Sequence, residues 1–336
     1  MPDATPTSTA PPSPPRRRNP WVLAGQLLLA GIVVYFIVAS VHRQWADLRA
    51  HWNGAHPSWA LVAASAAVVL ATYLVLIETW RAIIRHWGGE IAFGEAARVW
   101  FASNLAKYIP GGVAQLGAIG VMARSERLSG VAASGAAVLN VLVNLATGIA
   151  IALLVGASAL RRVNPNYEIL AAALGGVFLV GLVLAPRLLP RVVAVAARLT
   201  GRELRLDRLP PRALVDSAIG NVVAWIGYGA ALQLLVVALL GSRGGSLIDY
   251  VAAFAAAYVV GYLVLVMPGG LGARELTLVG VLPVLVPTIS AVEAGFVAIV
   301  SRVIMTVLDL VPGFLYLAHS ATLRRRQEKA PRDGHT

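Results

Sequence analysis

The sequence predicts an all-α polytopic membrane protein with about six transmembrane helices and two re-entrant helical hairpins, arranged as an inverted repeat. Composition is the first reason: 58% of the 336 residues are hydrophobic and 13% are charged, against about 45–50% and about 25% in soluble domains. Apolar stretches long enough to span a bilayer are the second. A Pro-Gly-Gly tripeptide at matching places in both halves is the third. An ordinary soluble enzyme is excluded, because it could not cover so much apolar surface.

The predicted spans follow from apolar stretches of about 20 residues or more. They lie at about 21–41, 58–80, 131–157, 167–184, 213–240 and 291–318. The first stretch is too long for the typical signal-peptide core of about 7–15 residues, which favours an uncleaved anchor. Residues 1–20 are rich in Pro, Ser and Thr, so we expect a disordered tail.

Each Pro-Gly-Gly interrupts a moderately apolar segment and predicts two short helices around a break. Pro110 and Pro268 cannot continue a helix, and the glycines after them allow backbone conformations that other residues avoid. The helix that follows each break begins with free N–H groups, which suit an anionic group such as phosphate. The predicted donors are Gly111, Gly112, Gly269 and Gly270. An ordinary loop between two helices is the alternative, and two matching instances make it less attractive.

The distribution of charge indicates how the chain crosses the membrane. Residues 21–157 form the first predicted repeat and 158–318 the second. The N-terminal tail, a basic loop at 187–212 and the basic tail at 319–336 hold fifteen of the 28 Lys and Arg residues. Basic residues favour the cytoplasmic side. All three segments lie inside only if both interrupted segments are re-entrant, with both termini in the cytoplasm.

Four charged residues predicted at membrane depth are candidates for binding a phosphate-bearing headgroup, because such charges are costly and usually functional. Arg274 and Glu275 follow the second break, Lys107 precedes the first, and Arg302 lies within the last span. Glu275 is a partner for Arg274 or Arg302, or a proton carrier. The alternative is that these charges reach the interfaces or form structural ion pairs.

Uncharged polar residues supply the remaining candidates. Asn140 and Asn144 lie one turn apart in a span, where they either line a pathway or bond between helices. Gln115, just after the first break, is a further pathway candidate. No cysteine is present, and the histidines lack metal-ligand spacing, so neither a metal nor a cofactor is expected. No phosphate-binding G-x-x-x-x-G-K-[ST] loop indicates an ATP-driven motor.

Two segments resemble signatures of a known family. Arg98 to Gly112 (RVWFASNLAKYIPGG) is similar to the first signature of the lysylphosphatidylglycerol synthase transmembrane region, also called the flippase-like domain, which includes YbhN-type proteins. Met267 to Glu275 (MPGGLGARE) resembles the second, P-G-G-L-G-x-R-E. Arg302 matches an arginine usual in the last span, and the resemblance covers about residues 58–318. Many relatives carry an acid where Asn140 stands here, which puts a charge-coupled step in doubt.

The resemblance implies a lipid translocase fold without the fused synthase, and hence no aminoacyl transfer. We expect a plasma-membrane protein that moves a phospholipid or a polyprenyl-phosphate-linked lipid between leaflets and is not an enzyme. The expected partners are membrane lipids and, in addition, a separate lipid-modifying enzyme, with no nucleic acid. An ion-coupled small-solute carrier, a glycosyltransferase using a lipid-linked sugar, and a non-transporting scaffold remain alternatives. Lipid identity, direction, energy source and oligomeric state stay open.

Overall fold

The structure is a computed structural model and describes residues 57–108, 114–125, 130–161, 164–200, 211–241, 244–264, 270 and 272–329. In chain order, its helices are α1 (Trp59–His86), α2 (Phe93–Asn104), α3 (Ala114–Ser125), α4 (Gly130–Leu160), α5 (Pro165–Thr200), α6 (Pro211–Leu240), α7 (Leu247–Leu263), α8 (Ala273–Leu285) and α9 (Ala291–Lys329). These residues form no strand. Helices α1, α4, α5, α6 and α9 are long and apolar enough to cross a membrane. The all-helical membrane fold is confirmed, and the span predicted at 21–41 lies outside the described residues.

The structure corrects the prediction of a loop at 187–212. Helix α5 continues to Thr200, so residues 187–200 are helical, and α6 already begins at Pro211. Residues 191–200 consist mainly of Val, Ala, Leu and Arg. Arginine, leucine and alanine favour helices, so a basic stretch can leave the apolar span without ending the helix. Helix α9 likewise runs past the predicted end of the last span, to Lys329.

Two broken segments lie where the sequence predicts paired short helices. In the first broken segment, α2 is followed by a 3₁₀ turn, Leu105–Tyr108, before α3. In the second, α7 ends at Leu263 and α8 begins at Ala273. The predicted hinge and headgroup residues Pro110, Gly111, Gly112, Pro268 and Gly269 lie outside the described residues; Gly270 is described.

The long helices α1 and α6 run antiparallel to each other. At one end, the Ser58 backbone N–H donates to the Ala238 carbonyl at 2.9 Å. At the other end, His86 Nε2 lies 2.8 Å from Asp216 Oδ2. Each of these helices precedes one of the two broken segments. Helices at corresponding places in the two halves therefore point in opposite directions.

The remaining packing also follows corresponding pairs. Helix α4 packs against α7 of the other half, and α9 packs against α2. Helix α4 also contacts α3, as α9 contacts α8. Each half thus holds the broken segment of the other half against its own last helix. Both broken segments contact α9. They meet there at a common region, which is described below.

Large aromatic side chains anchor the interior. Trp80 and Trp225 are fully buried. The Trp80 indole donates to the Ala133 carbonyl at 3.2 Å, and the Trp225 indole donates to Thr147 Oγ1 at 3.1 Å. Both indole N–H groups are therefore satisfied, as burial requires. Helix α5 lies at the edge, packs mainly against α4 and exposes apolar side chains such as Ile169, Val177 and Val183, which suits contact with lipid.

Candidate functional site

The second broken segment is placed by a contact between two glycines. Gly270 is buried with φ of +70°, and a Cβ there would lie 2.5 Å from the Gly261 carbonyl oxygen in α7. A Cβ on Gly261 would in turn lie 2.9 Å from Cβ of Arg274. Only glycine allows both the positive φ and this approach of two backbones. The start of α8 is consequently held against α7, with Arg274 in its first turn directed into the bundle.

The Arg274 guanidinium is buried among aromatic rings and a thioether. Arg274 is 8% exposed. Its Cζ lies 4.6 Å from the ring centroid of Phe254 and 5.9 Å from the ring centroid of Tyr258. Nη2 donates to Met305 Sδ at 2.9 Å. Thioether sulfur is a weak acceptor, and cation–π contacts stabilise a cation without neutralising it. Among the described residues, no carboxylate lies within ion-pair distance of Arg274.

Arg302 and Glu275 form a loose ion pair beside Arg274. Arg302 is 8% exposed in α9, and its Nε lies 3.7 Å from Glu275 Oε1. That separation exceeds the usual hydrogen-bond range. The other carboxylate oxygen, Oε2, accepts from the Gly272 backbone N–H at 2.7 Å and so caps α8. Of the two partners that the sequence left open for Glu275, Arg302 is the one at ion-pair distance.

The first broken segment contributes a tighter pair. Lys107, in the 3₁₀ turn, donates from Nζ to Asp309 Oδ2 at 2.5 Å. Asp309 is only 2% exposed in α9, and Asn104 Nδ2 lies 3.4 Å from its other oxygen. Gln115 Nε2, on the far side of the break, donates to Asn104 Oδ1. A polar chain therefore runs from α3 through the end of α2 to the last helix.

These pairs form one charged cluster, defined as Lys107, Arg274, Glu275, Arg302 and Asp309. Lys107 lies within electrostatic range of Arg274 and Arg302, and Arg274 within range of Arg302 and Glu275. Three cations and two carboxylates give these five residues a formal charge of +1. Burying such an excess is unfavourable unless an anion joins it. The arginine forks can bind two oxygens of one phosphate at a time.

Asn140 and Asn144 belong to a separate asparagine cluster with Ser217 and Asn221. Asn140 Oδ1 accepts from Asn221 Nδ2 at 2.9 Å and from Ser217 Oγ at 3.2 Å. Asn144 Nδ2 donates to Asn221 Oδ1 at 2.7 Å. These bonds join α4 to α6, so bonding between helices, one of the two sequence-based alternatives, is present. A pathway-lining role for these residues stays a prediction.

Sequence reasoning missed part of the site. Asp309 was visible as an acid within a span, but its partner Lys107 is 202 residues away in the chain. The aromatic residues around Arg274 have ordinary helical spacing and give no signal of their own. Asn104, inside the first signature, could have been singled out as a polar residue next to the break. Among the described residues, no group of His, Cys, Asp or Glu is arranged to hold a metal ion.

The comparisons with known proteins agree with the signatures. The chain matches the family described as "Lysylphosphatidylglycerol synthase TM region" over residues 22–313. That range includes both broken segments and the whole charged cluster. A search of curated proteins gave no match.

Proposed function

Because the chain belongs to the lysylphosphatidylglycerol synthase TM region family and is therefore a multi-helix membrane protein, we propose that it is a flippase-like lipid translocase. It moves a phosphate-bearing phospholipid, or a polyprenyl-phosphate-linked lipid, between the two leaflets. The charged cluster binds the headgroup, and the tails stay in the bilayer. The observation that carries the proposal is a buried Arg274 whose described contacts are aromatic rings and a thioether, within a cluster of positive formal charge.

The chemistry of Arg274 supports this role. Its described contacts are two aromatic rings and a sulfur atom, so its guanidinium N–H groups retain capacity for a charged acceptor. A phosphate oxygen would supply charge-assisted hydrogen bonds of about 1.5–3 kcal/mol each. Arg302 holds Glu275 too loosely to exclude a phosphate. An anion can therefore join both arginines without first breaking a close ion pair at Arg274.

We further propose an inverted repeat with six spans and two re-entrant broken segments, in which the cluster lies between the repeats. The antiparallel course of α1 and α6 supports it, as do the matched packing pairs. The contact between His86 and Asp216 brings the end of α1 and the beginning of α6 to one side. The basic stretch before α6 makes that side cytoplasmic. In this arrangement both termini face the cytoplasm and the protein resides in the plasma membrane.

The proposed activity is translocation rather than catalysis. The lipid is supplied by, or delivered to, a separate lipid-modifying enzyme, and nucleic acid takes no part. The other predicted headgroup ligands, the glycine N–H groups after each break, would add donors at the beginning of the second helix of each broken segment. Gly270 is buried against Gly261, so its main contribution is to place Arg274.

A leaflet-exchange assay tests the proposal. Purified protein is reconstituted into vesicles that carry a fluorescent phosphatidic acid, and a membrane-impermeant quencher is added. We expect quenching of the outer leaflet alone in empty vesicles and of both leaflets with protein. Arg302→Ala should return the signal toward the empty-vesicle value. Arg212→Ala, which removes an exposed arginine at the beginning of α6, is the matched control and should remain active. No exchange by the wild-type protein would refute translocation.

A further inference from the structure

Asp309 holds the first broken segment on the last helix. Its carboxylate is almost completely buried in α9, where an unpaired charge is strongly destabilising. Two groups that bond to it, Asn104 at the end of α2 and Lys107 in the 3₁₀ turn, both come from the first broken segment. Without that segment in place, the carboxylate would lose the Lys107 cation. The ion pair therefore helps to hold this part of the segment against α9.

The surrounding contacts at this junction are close but apolar. The Phe101 and Tyr316 rings stack with centroids 6.2 Å apart. A Cβ on Gly313 would lie 2.8 Å from the Phe101 carbonyl oxygen and 3.0 Å from the Leu105 side chain. The 3₁₀ turn thus packs against α9 at Gly313, which has no side chain. These contacts carry no charge, so the Lys107–Asp309 pair supplies the charge-dependent part of the junction.

A phosphate at the charged cluster and the ion pair with Asp309 oppose each other. Lys107 lies within electrostatic range of Arg274 and Arg302, so a phosphate held by the arginines would also attract Lys107. The same phosphate would repel the Asp309 carboxylate through a medium of low dielectric constant. A bound phosphate consequently weakens the Lys107–Asp309 pair in two ways, because it attracts Lys107 and repels Asp309. By linkage, the intact pair weakens phosphate binding by the same factor.

We propose that the Lys107–Asp309 pair is a latch that a phosphate group opens: Lys107 transfers from the carboxylate to the phosphate, and the 3₁₀ turn after α2 leaves α9. Asp309 supplies the negative charge that faces Lys107 in the latched state, and the phosphate replaces it in the open state. The inference rests on the proposed function, since it assigns to the same site the device that couples headgroup binding to movement. A ligand can drive this change only because it binds the open state better than the latched one.

A thiol reporter at the junction tests the latch. The chain has no cysteine, so Leu105→Cys introduces a single thiol next to Gly313. The protein is kept in a maltoside detergent, which carries no phosphate, and the rate of thiol labelling is measured. Short-chain phosphatidic acid should raise the rate about fivefold or more, the low end of typical coupling between sites. Diacylglycerol with the same chains should leave it unchanged.

The remaining arms decide between explanations. Inorganic phosphate shows whether the headgroup chemistry alone opens the latch or whether the tails are needed. Asp309→Asn in the reporter background should label quickly without ligand and respond little to it. Asp216→Asn, which neutralises an exposed carboxylate at the beginning of α6, should behave like the reporter alone. A thiol at the exposed Ser158 controls for reagent effects.

The outcomes separate the latch from translocation. If phosphatidic acid accelerates labelling but vesicles show no lipid exchange, the latch stands and translocation fails. If lipid exchange occurs while neither phosphate probe changes labelling of Leu105→Cys, the latch is wrong. The reporter retains Asp309, so that outcome refutes the latch even if Asp309→Asn does not fold.

Discussion

Two polar clusters lie inside this bundle, and they differ in the kind of contact that their side chains make. In the asparagine cluster, Asn140, Asn144, Ser217 and Asn221 bond to one another across α4 and α6. In the charged cluster, three cations face two carboxylates, and Arg274 rests on aromatic rings. The first arrangement satisfies its own groups and joins helices. The second has a positive formal charge, and that difference supports the proposed role in binding an anion.

The comparison predicts that charge in the second cluster governs activity with little effect on folding. Arg274→Met removes the cation but keeps an unbranched apolar side chain against Phe254. We expect lipid exchange to fall by roughly 10- to 100-fold, the equivalent of one charge-assisted hydrogen bond. Arg274→Lys should retain part of the activity, since it keeps the charge but not the fork. Exchange rates of both variants, beside melting curves in detergent, measure this; an unchanged rate for Arg274→Met would contradict it.

The opposite pattern is expected in the asparagine cluster. Asn221 is fully buried and bonds to both Asn140 and Asn144. Asn221→Ala should lower the free energy of unfolding by about 1–2 kcal/mol, because it removes the side-chain amide to which both Asn140 and Asn144 bond within a membrane bundle. Exchange per folded molecule should stay close to wild type. A loss of exchange without loss of stability would instead place these residues on the lipid pathway.

A backbone substitution connects stability to site geometry. Gly270→Ala puts a methyl group 2.5 Å from the Gly261 carbonyl oxygen at a positive φ. We expect a loss of about 1–2 kcal/mol in unfolding free energy together with slower exchange, since Arg274 is displaced. Gly280→Ala is the matched control: Gly280 is interior to α8, and its added Cβ would meet nothing within 4 Å. That control should be neutral or slightly stabilising, and equal effects of the two substitutions would argue against the glycine contact.

The smallest expected effect concerns the loose ion pair. Glu275→Gln keeps an oxygen to accept from the Gly272 N–H but removes a negative charge from the cluster. Binding of short-chain phosphatidic acid should tighten by roughly threefold, because Arg302 is then less engaged. Titration calorimetry in a phosphate-free detergent measures the change. Weaker binding by Glu275→Gln would mean that Glu275 positions Arg302 rather than competing with the ligand.

Much of the fold was predictable because the bilayer restricts it so strongly. Backbone groups in hydrocarbon must bond internally, so apolar stretches become helices, and α1, α4 and α6 begin within a few residues of their predicted starts. The breaks were predictable from proline followed by two glycines; proline alone is not sufficient, because Pro283 and Pro312 lie inside α8 and α9. The extent of α5 was not, since hydropathy reports where a span leaves the membrane and not where its helix ends. The basic stretch at 187–212 was therefore predicted as a loop, although residues 187–200 are helical.

The cations of the candidate site could be singled out from the sequence, whereas the side chains that they contact could not. Arg274, Arg302 and Lys107 stand out because charges are rare in apolar stretches. Which carboxylate each one meets depends on packing between distant helices. Asp309 reaches Lys107 from 202 residues away, and Phe254 reaches Arg274 from a different helix. Hydropathy and motif spacing carry no information about contacts between distant helices.

The antiparallel contact of α1 and α6 limits the motions open to the protein. A Cβ on Gly220 would lie 2.0 Å from Thr79 Oγ1, and one on Gly227 would lie 2.2 Å from Thr72 Oγ1. Thr72 and Thr79 of α1 thus pack directly against the backbone of α6 at its glycines. The two helices come from different halves of the chain. Sliding by one turn would push both threonines onto residues that carry side chains. The contact consequently resists a shift of α1 along α6 more strongly than a small tilt of one helix against the other.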